Sequence, residues 1–323
     1  MYAIVVTQPG GPEVLRWTEV PTPQPGPGEV RIAVAAAGVN RADLLQRQGN
    51  YAPPPGASDI LGLEASGVID QIGPGVTAWR AGDAVVALLA GGGYAEQVVV
   101  PAVQCVARPA GVGAIAAGGL METAATVVSN FDHLGLRAGE TILIHGGAGG
   151  IGSFAIPYAK SLGLAVFTTV GSADKAEYAR GLGADQVFDY HDDWATGLAA
   201  ATGGRGVDAI VDIIGAKYLE DNVTALARGG RLVVIGLQGG TLGQLDLNRL
   251  LTKSATITAT SLRYRPVAEK ARIVAEVAER VWPLFSSGAI PLPPLTEIPL
   301  PDAALAHERL SGGDNRGKIV LVA

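Results

Sequence analysis

Residues 140–163, ETILIHGGAGGIGSFAIPYAKSLG, restrict the fold more than any other part of the chain. A β-branched apolar run, Thr141 to Ile144, stops at His145; glycines follow, and an alanine-rich helical pattern begins at Ile151. Strand, tight turn and helix in that order predict a βα unit. Within the turn, Gly147, Gly149 and Gly152 stand at G-x-G-x-x-G spacing. That spacing lets the backbone turn sharply, admits a pyrophosphate against bare N–H groups, and packs helix closely on strand. A lone glycine motif is weak evidence, but here the flanking elements are those a dinucleotide site requires.

A chain of 323 residues suggests about two domains around this unit. Apolar residues make up 48% and charged residues 17%, enough for a large core. The net charge of -6 argues against nucleic acid or an anionic membrane as partner. Cys105 is the only cysteine, so neither an intrachain disulfide nor a cysteine-rich zinc lobe can form, and the thiol is expected in the core. The opening residues MYAIVVTQPGG lack a basic stretch, and their apolar run breaks at Gln8, unlike a signal peptide. No apolar run reaches the roughly 18 residues of a membrane helix. A reducing, cytoplasmic setting is expected.

From Tyr2 to Pro109 short strand patterns (YAIVVT, LRWTEV, EVRIAVAAAGV, ASGVIDQIG, DAVVALLA, YAEQVVV) alternate with Gly- and Pro-rich turns. They predict a mostly antiparallel, partly closed β unit, interrupted by a short helix at RADLLQRQ. Residues 111–136 read as helix. After the glycine turn, strands and helices alternate: AVFTTV, DKAEYARGLG, QVFDY, DDWATGLAAATG, VDAIVDII, KYLEDNVTALARGG, RLVVIG and TITATS. Near-continuous apolar strands in a βαβ succession imply a doubly wound parallel sheet, an α/β Rossmann unit with its ligand at the carboxyl ends of the strands. A long helix over 266–287, with Val267, Ile273, Val274, Val277 and Val281 on one side, leads toward a closing strand, GKIVLVA.

The second strand of the Rossmann unit bears on the cofactor. An Asp or Glu there, about 20 residues past the glycines, accepts from the ribose 2′-OH of NAD. This chain has Val170, Gly171 and Ser172. Ser172 and Lys175 suit a 2′-phosphate, Tyr190 can pack on the adenosine side, and NADPH is expected. Lys175 on a solvated helix face, and Asp174 as the acidic residue, are the alternatives; Asp174 with Glu177 also reads as a capping box. His133, His145, His191 and His307 show no ligand spacing, so no metal is expected. A hydride enzyme without a Lewis acid needs an acceptor that is already electrophilic, such as a quinone or an activated alkene. No G-x-S-x-G elbow supports a hydrolase.

Residues 38–69, GVNRADLLQRQGNYAPPPGASDILGLEASGVI, together with HGGAGGIG and GKIVL, resemble the quinone oxidoreductase (zeta-crystallin-like) branch of the zinc-less medium-chain dehydrogenase/reductase superfamily. Within it the chain is similar to the subgroup of the tumour-suppressor-inducible mammalian quinone reductase. Zinc-dependent relatives carry a cysteine and a histidine where this chain has Asn40 and Leu63. The resemblance covers nearly the whole chain and implies a GroES-like catalytic domain over 1–122 and 268–323, with a Rossmann domain over 123–267. It also implies that Asn40 and Asp43 lie beside the nicotinamide, although Asp43 equally fits a helix cap. Tyr51 falls at the mouth of the substrate site, where its phenol would orient a quinone oxygen or deliver a proton, or serves as an ordinary loop aromatic. Thr126, Leu237, Gln238, Ser261, Leu262, Arg263, Asn315 and Lys318 fall near the cofactor. Gly149, Gly150 and Ile151 would offer N–H groups to the pyrophosphate, and Ser172, Lys175 and Tyr190 form the 2′-phosphate pocket. HGGAGG replaces the serine-containing turn of the mammalian relative, which removes one hydroxyl.

The expected activity is hydride transfer from NADPH to a quinone in an interdomain cleft, resting on proximity and orientation. The rivals are an NADPH-dependent reductase of α,β-unsaturated carbonyls and a non-catalytic NADPH-binding protein. A homodimer paired through TITATS is expected, that strand reading as an apolar sheet edge.

Overall fold

The computed structural model describes residues 1–313 and 315–323. It divides into two units, Met1–Thr126 with Leu262–Ala323, and Val127–Ser261. The sequence reading puts the breaks at 122/123 and 267/268; the first falls inside helix Met121–Leu134, which runs through the join.

The first unit is built on strand Glu29–Val39, which pairs antiparallel with Glu64–Ile72, Gln97–Pro101 and Lys318–Val322. Alternation along VRIAV buries Val30, Ile32 and Val34 on one side, as a half-covered strand requires. Glu64–Ile72 continues the sheet to Ala84–Leu88 and Cys105–Ala107, and Leu295–Pro299 lies parallel to Lys318–Val322 at the other end. Tyr2–Val6 and Leu15–Glu19 form a separate hairpin. Cys105 is buried.

Two expected helices are each broken into a pair. Residues 111–136 hold two, Ala114–Ala117 and Met121–Leu134, parted at Gly118, where a Cβ would fall 2.7 Å from the Ala36 methyl and 2.8 Å from its carbonyl oxygen. Close packing on strand Glu29–Val39 therefore takes precedence over helical continuity. Residues 266–287 likewise hold Val267–Arg280 and Trp282–Ser286. Ile273, Val274, Val277 and Val281 are fully buried, whereas Val267, at the first helical position, is 45% exposed.

The second unit is a parallel six-stranded sheet, ordered Gln186–Asp189, Ala165–Val170, Thr141–His145, Val207–Asp212, Leu226–Val234, Thr256–Ala259. In order of appearance this is 3-2-1-4-5-6, the Rossmann order, whose switch point lies between Thr141–His145 and Val207–Asp212. The helix expected through Gly230 is only Leu219–Ala225, and the next strand starts at Leu226. Val207 pairs with Leu226 but Ala209 with Arg231, so ARGG bulges out of register, with Gly229 at φ 73°. Thr256–Ala259 is one of its two edge strands, Gln186–Asp189 the other. Among the described residues no helix is long and apolar enough to cross a membrane.

Candidate functional site

At the Rossmann switch point, the three motif glycines have separate physical reasons. A Cβ on Gly147 would lie 2.3 Å from Thr168 Oγ1, and one on Gly152 would lie 2.4 Å from Gly147 Cα, so both are glycine because turn, strand and helix touch there. Gly149 differs. Its φ is an ordinary -78°, and a Cβ would meet only the Gly146 carbonyl at 3.5 Å. Neither backbone nor packing asks for glycine here, and its absence of a Cβ leaves the helix start bare to an approaching ligand. Gly149 caps helix Gly150–Ser161 without a side-chain bond, and the N–H groups of Gly150, Ile151 and Gly152 precede the first intrahelical bond, from Ser153 N to Gly149 O. Gly149, Gly150 and Ile151 are partly exposed while Gly147, Ala148 and Gly152 are buried. A bare, positively polarised helix start fits a pyrophosphate.

Buried side chains hold the turn. Gly146 and Gly147 donate to Thr169 O, and His145, fully buried, sits between Thr169 Oγ1 (3.0 Å) and Asn222 Oδ1 (2.7 Å). Asn222 Oδ1 only accepts, so His145 carries its hydrogen on Nε2 and accepts at Nδ1. Burial pushes His145 down to about 4, which keeps it neutral. Asp212, at the end of the neighbouring strand, accepts from Ile214 N and Gly215 N and is pushed up to about 6 by burial.

At the end of Ala165–Val170, Gly171 lies under Tyr190: a Cβ would fall 2.2 Å from the Tyr190 hydroxyl. Ser172 is the N-cap of helix Ala173–Gly181, its hydroxyl accepting from Lys175 N at 3.3 Å. This corrects the expected Asp174–Glu177 capping box, because the helix starts two residues earlier and Asp174 falls within its first turn. Gly171, Ser172, Lys175 and Tyr190 thus stand together, with a hydroxyl where NAD-binding sheets carry a carboxylate. After Leu226–Val234, Leu237 and Gln238 are exposed; Gln238 N donates to Ile213 O, and a Cβ on Gly215 would lie 2.9 Å from a Leu237 methyl. Ser261, the last residue of this unit, is exposed.

The first unit contains a polar core that the sequence reading only touched. Asn40 is the N-cap of helix Arg41–Arg47. Asp43, in that helix's first turn, accepts from Asn40 N (2.8 Å), Gly62 N (3.1 Å) and Tyr94 Oη (3.1 Å), so it is the third-position partner in a capping box whose N-cap is Asn40, and also a buried hub. Burial raises Asp43 to about 6 against the pull of these three donors. Beyond it the order of donation is fixed. Arg47 Nη1 can only donate, so it donates to His307 Nδ1; His307 Nε2–H then donates to Tyr94 Oη, and Tyr94 to Asp43. Burial pushes His307 down to about 3, consistent with a neutral ring accepting from Arg47.

On the other side of Asn40, Glu64 Oε1 accepts from Asn40 Nδ2 (2.9 Å) and Lys318 Nζ (2.8 Å), and Lys318 also donates to Asn40 Oδ1 (2.7 Å). Glu64 is fully buried and Lys318 is 3% exposed. Glu64 Oε2 accepts from the backbone N of Glu122, whose own carboxyl is driven up to about 8 by burial and by Glu64. Leu63 lies in the apolar core.

A second cluster surrounds Arg263, which is 2% exposed. Its guanidinium lies over the Tyr51 ring at 5.2 Å and donates to Ala90 O and Tyr51 O. Tyr264 meets the Tyr51 ring edge-on at 5.5 Å and donates to Ala52 O. Tyr51 is therefore flanked by a guanidinium over its ring and by a T-shaped aromatic contact. Leu262 is buried beside Arg263, Thr126 is half-buried in Met121–Leu134, and Asn315 donates to Gly317 O. Sequence reasoning missed Glu64, Glu122, Tyr94, His307 and Arg47. A carboxylate inside the apolar run LGLEASGV was the one signal available.

Comparison with known proteins agrees with this geometry. Residues 26–110 match the alcohol dehydrogenase GroES-like domain and residues 150–279 the zinc-binding dehydrogenase family. The quinone oxidoreductase of Pseudomonas aeruginosa is 32% identical over 97% of both chains. The chain belongs to the medium-chain dehydrogenase/reductase superfamily, in its quinone oxidoreductase branch. Among solved structures of this superfamily, the Escherichia coli quinone oxidoreductase complexed with NADPH superposes over all of both chains with a TM-score of 0.92 at 31% identity. A 2-haloacrylate reductase from a Burkholderia species is 30% identical over 99% of this chain and 98% of its own length. The first unit is accordingly GroES-like and the second a Rossmann domain, and the chain is an oxidoreductase of this family.

Proposed function

We propose that the chain is a zinc-independent NADPH:quinone oxidoreductase. The observation that carries the reading is the adenosine end of the Rossmann unit, where Gly171 lies under Tyr190 and the cap of the next helix is Ser172 rather than a carboxylate. Gly149, Gly150 and Ile151 hold the pyrophosphate on the helix start, and Ser172, Lys175 and Tyr190 receive the 2′-phosphate. Bound NADPH supplies the hydride. Tyr51, its ring clamped by Arg263 and Tyr264, presents its phenol to a quinone oxygen. Asn40, where zinc-dependent relatives place a metal-binding cysteine, is engaged by Glu64 and Lys318, which suits an acceptor that needs no Lewis acid. The protein acts in the cytoplasm as a homodimer, Thr256–Ala259 of one copy pairing with its counterpart.

The 30% identity to a 2-haloacrylate reductase favours one second reading, reduction of an activated alkene. The test is NADPH oxidation at 340 nm with a small para-quinone and with a matched enone, each repeated with NADH. A quinone kcat/KM at least about tenfold above the enone, with NADPH similarly preferred over NADH, is expected. Equal use of NADH overturns the 2′-phosphate assignment, and preference for the enone moves the function to the second reading.

A further inference from the structure

Glu122 stands in the first turn of Met121–Leu134, anchored by its backbone N–H, which donates to Glu64 Oε2 at 2.9 Å. Its side chain has no such anchor: among the described residues no hydrogen bond or ion pair reaches the carboxyl oxygens. The residue is partly exposed, so water or a ligand can approach it. Charged groups from the surrounding elements face it, Glu64 and Asp43 repelling its anion, Lys318, Arg263 and Lys270 attracting it. Burial and Glu64 prevail and drive the group up to about 8, so at neutral pH it is a carboxylic acid with a proton to give. Arg263 complements it. The guanidinium that lies over the Tyr51 ring also attracts Glu122, yet no ion pair joins the two. Arg263 Nη2 is buried and has no acceptor among the described residues, an arrangement that proteins seldom leave unexplained. A carboxylate formed at Glu122 would supply that acceptor.

We propose that Glu122 is the catalytic acid that protonates the reduced quinone, with the Arg263 guanidinium receiving the carboxylate left behind. This rests on the quinone reading above, in which Tyr51 orients the quinone oxygen. Hydride from NADPH brings two electrons and one hydrogen to the quinone, giving NADP+ and a hydroquinone monoanion. The carboxyl O–H bond of Glu122 then breaks, a phenolic O–H bond forms, and neutral hydroquinone departs; a proton from water restores the acid. A phenolic oxygen holds its proton with a pKa of about 10, so an acid near 8 gives up its own about 100-fold in favour of transfer. A carboxyl at the ordinary 4.5 would hold almost no proton to give at pH 7.

The test joins kinetics to infrared spectroscopy. Glu122→Gln keeps the shape of the side chain and removes its proton, and circular dichroism checks the fold. With a small para-quinone and saturating NADPH, wild-type kcat should be level below about pH 8 and fall about tenfold per pH unit above it. In Glu122→Gln, kcat should be about 100-fold lower with no break near pH 8, while KM stays within about threefold. Without quinone, the infrared band of protonated carboxyls at pH 7 should be larger in the wild type than in Glu122→Gln, a difference that fades as pH rises through 8. Arg263→Lys, which keeps the charge and lacks Nη2, should move that fading upward by about one pH unit, the scale of one hydrogen bond to a charged group. These results support the proposal. A Glu122→Gln kcat within about threefold of wild type, or equal carboxyl bands in the two proteins at pH 7, overturns it while leaving quinone reduction standing. An unmoved titration in Arg263→Lys overturns the part given to Arg263. Failure of the wild type to reduce any quinone overturns the functional reading and this proposal together.

Discussion

Replacing Tyr94 with phenylalanine tests the directed chain from Arg47 to Asp43. The ring is fully buried, and phenylalanine keeps its volume, so no cavity opens and only the hydroxyl is lost. That oxygen accepts from His307 Nε2 at 3.2 Å and donates to Asp43 Oδ2 at 3.1 Å. Its removal leaves a buried His307 N–H without an acceptor, costing about 1–3 kcal/mol, and takes one of three donors from Asp43, worth a further 1–2 kcal/mol or so. Because both terms run through one atom, they do not add fully, and a loss of about 2–4 kcal/mol is expected. The Asp43 share exists only where its carboxylate forms. Tyr94 is among the groups that lower Asp43, so the variant's Asp43 rises further above its unfolded value of 3.8. The penalty therefore grows as pH rises and is larger at pH 7.5 than at pH 4. Urea unfolding followed by tryptophan fluorescence at the two pH values measures both quantities, with Tyr2→Phe, at an exposed hydroxyl, as control. A loss below about 0.5 kcal/mol, or one independent of pH, would refute the directed chain.

Three further perturbations follow from the same structure. Gly149→Val meets only the Gly146 carbonyl, so stability should stay within about 1 kcal/mol of wild type while NADPH Kd rises about 100-fold or more; isothermal titration with a melting curve tests both parts. Ser172→Asp keeps an equally good helix cap but sets a carboxylate at the expected 2′-phosphate position, where like charges about 5 Å apart repel by roughly 3 kcal/mol per unit charge at an effective dielectric near 20. NADPH affinity should fall about 100-fold and NADH affinity by less than about threefold, read from paired titrations. Glu122, raised from 4.5 to about 8, keeps its proton in the folded state between those values while the unfolded chain loses it, so its contribution is full below pH 4.5 and is lost as pH rises to 8. Glu122→Gln should gain stability over wild type across that window and none below it, as urea midpoints from pH 4 to 8.5 will show.

What could be read from the sequence was local. The turn glycines declare themselves because strand, turn and helix follow one another within 24 residues, and the Rossmann strands because each is a short apolar run between polar turns. Helix ends were harder. At Gly118 the deciding contact is with Ala36, and at Leu226 it is the pairing with Val207; neither partner is a sequence neighbour. The first unit's polar core was least legible for the same reason. Lys318 reaches Asn40 across 278 positions and Tyr94 reaches His307 across 213, so nothing near Asn40 announces that its amide is held on both sides. Asp43 shows the limit within one residue: its capping role can be read from RADLLQRQ, but its place between Gly62 and Tyr94 cannot.

The strand Lys318–Val322 has a further consequence for synthesis on the ribosome. The Rossmann unit is one uninterrupted stretch, Val127–Ser261, complete before that strand is made. The GroES-like unit, begun earlier, must wait for it, because the same segment brings both a neighbour for Glu29–Val39 and the ammonium that faces Glu64. Until Lys318 arrives, closing the first unit would trap a carboxylate in an apolar interior without a counter-ion, which favours an open, water-filled state. The half of the molecule translated first is thus the half that matures last, and its final step is a charge-neutralising one.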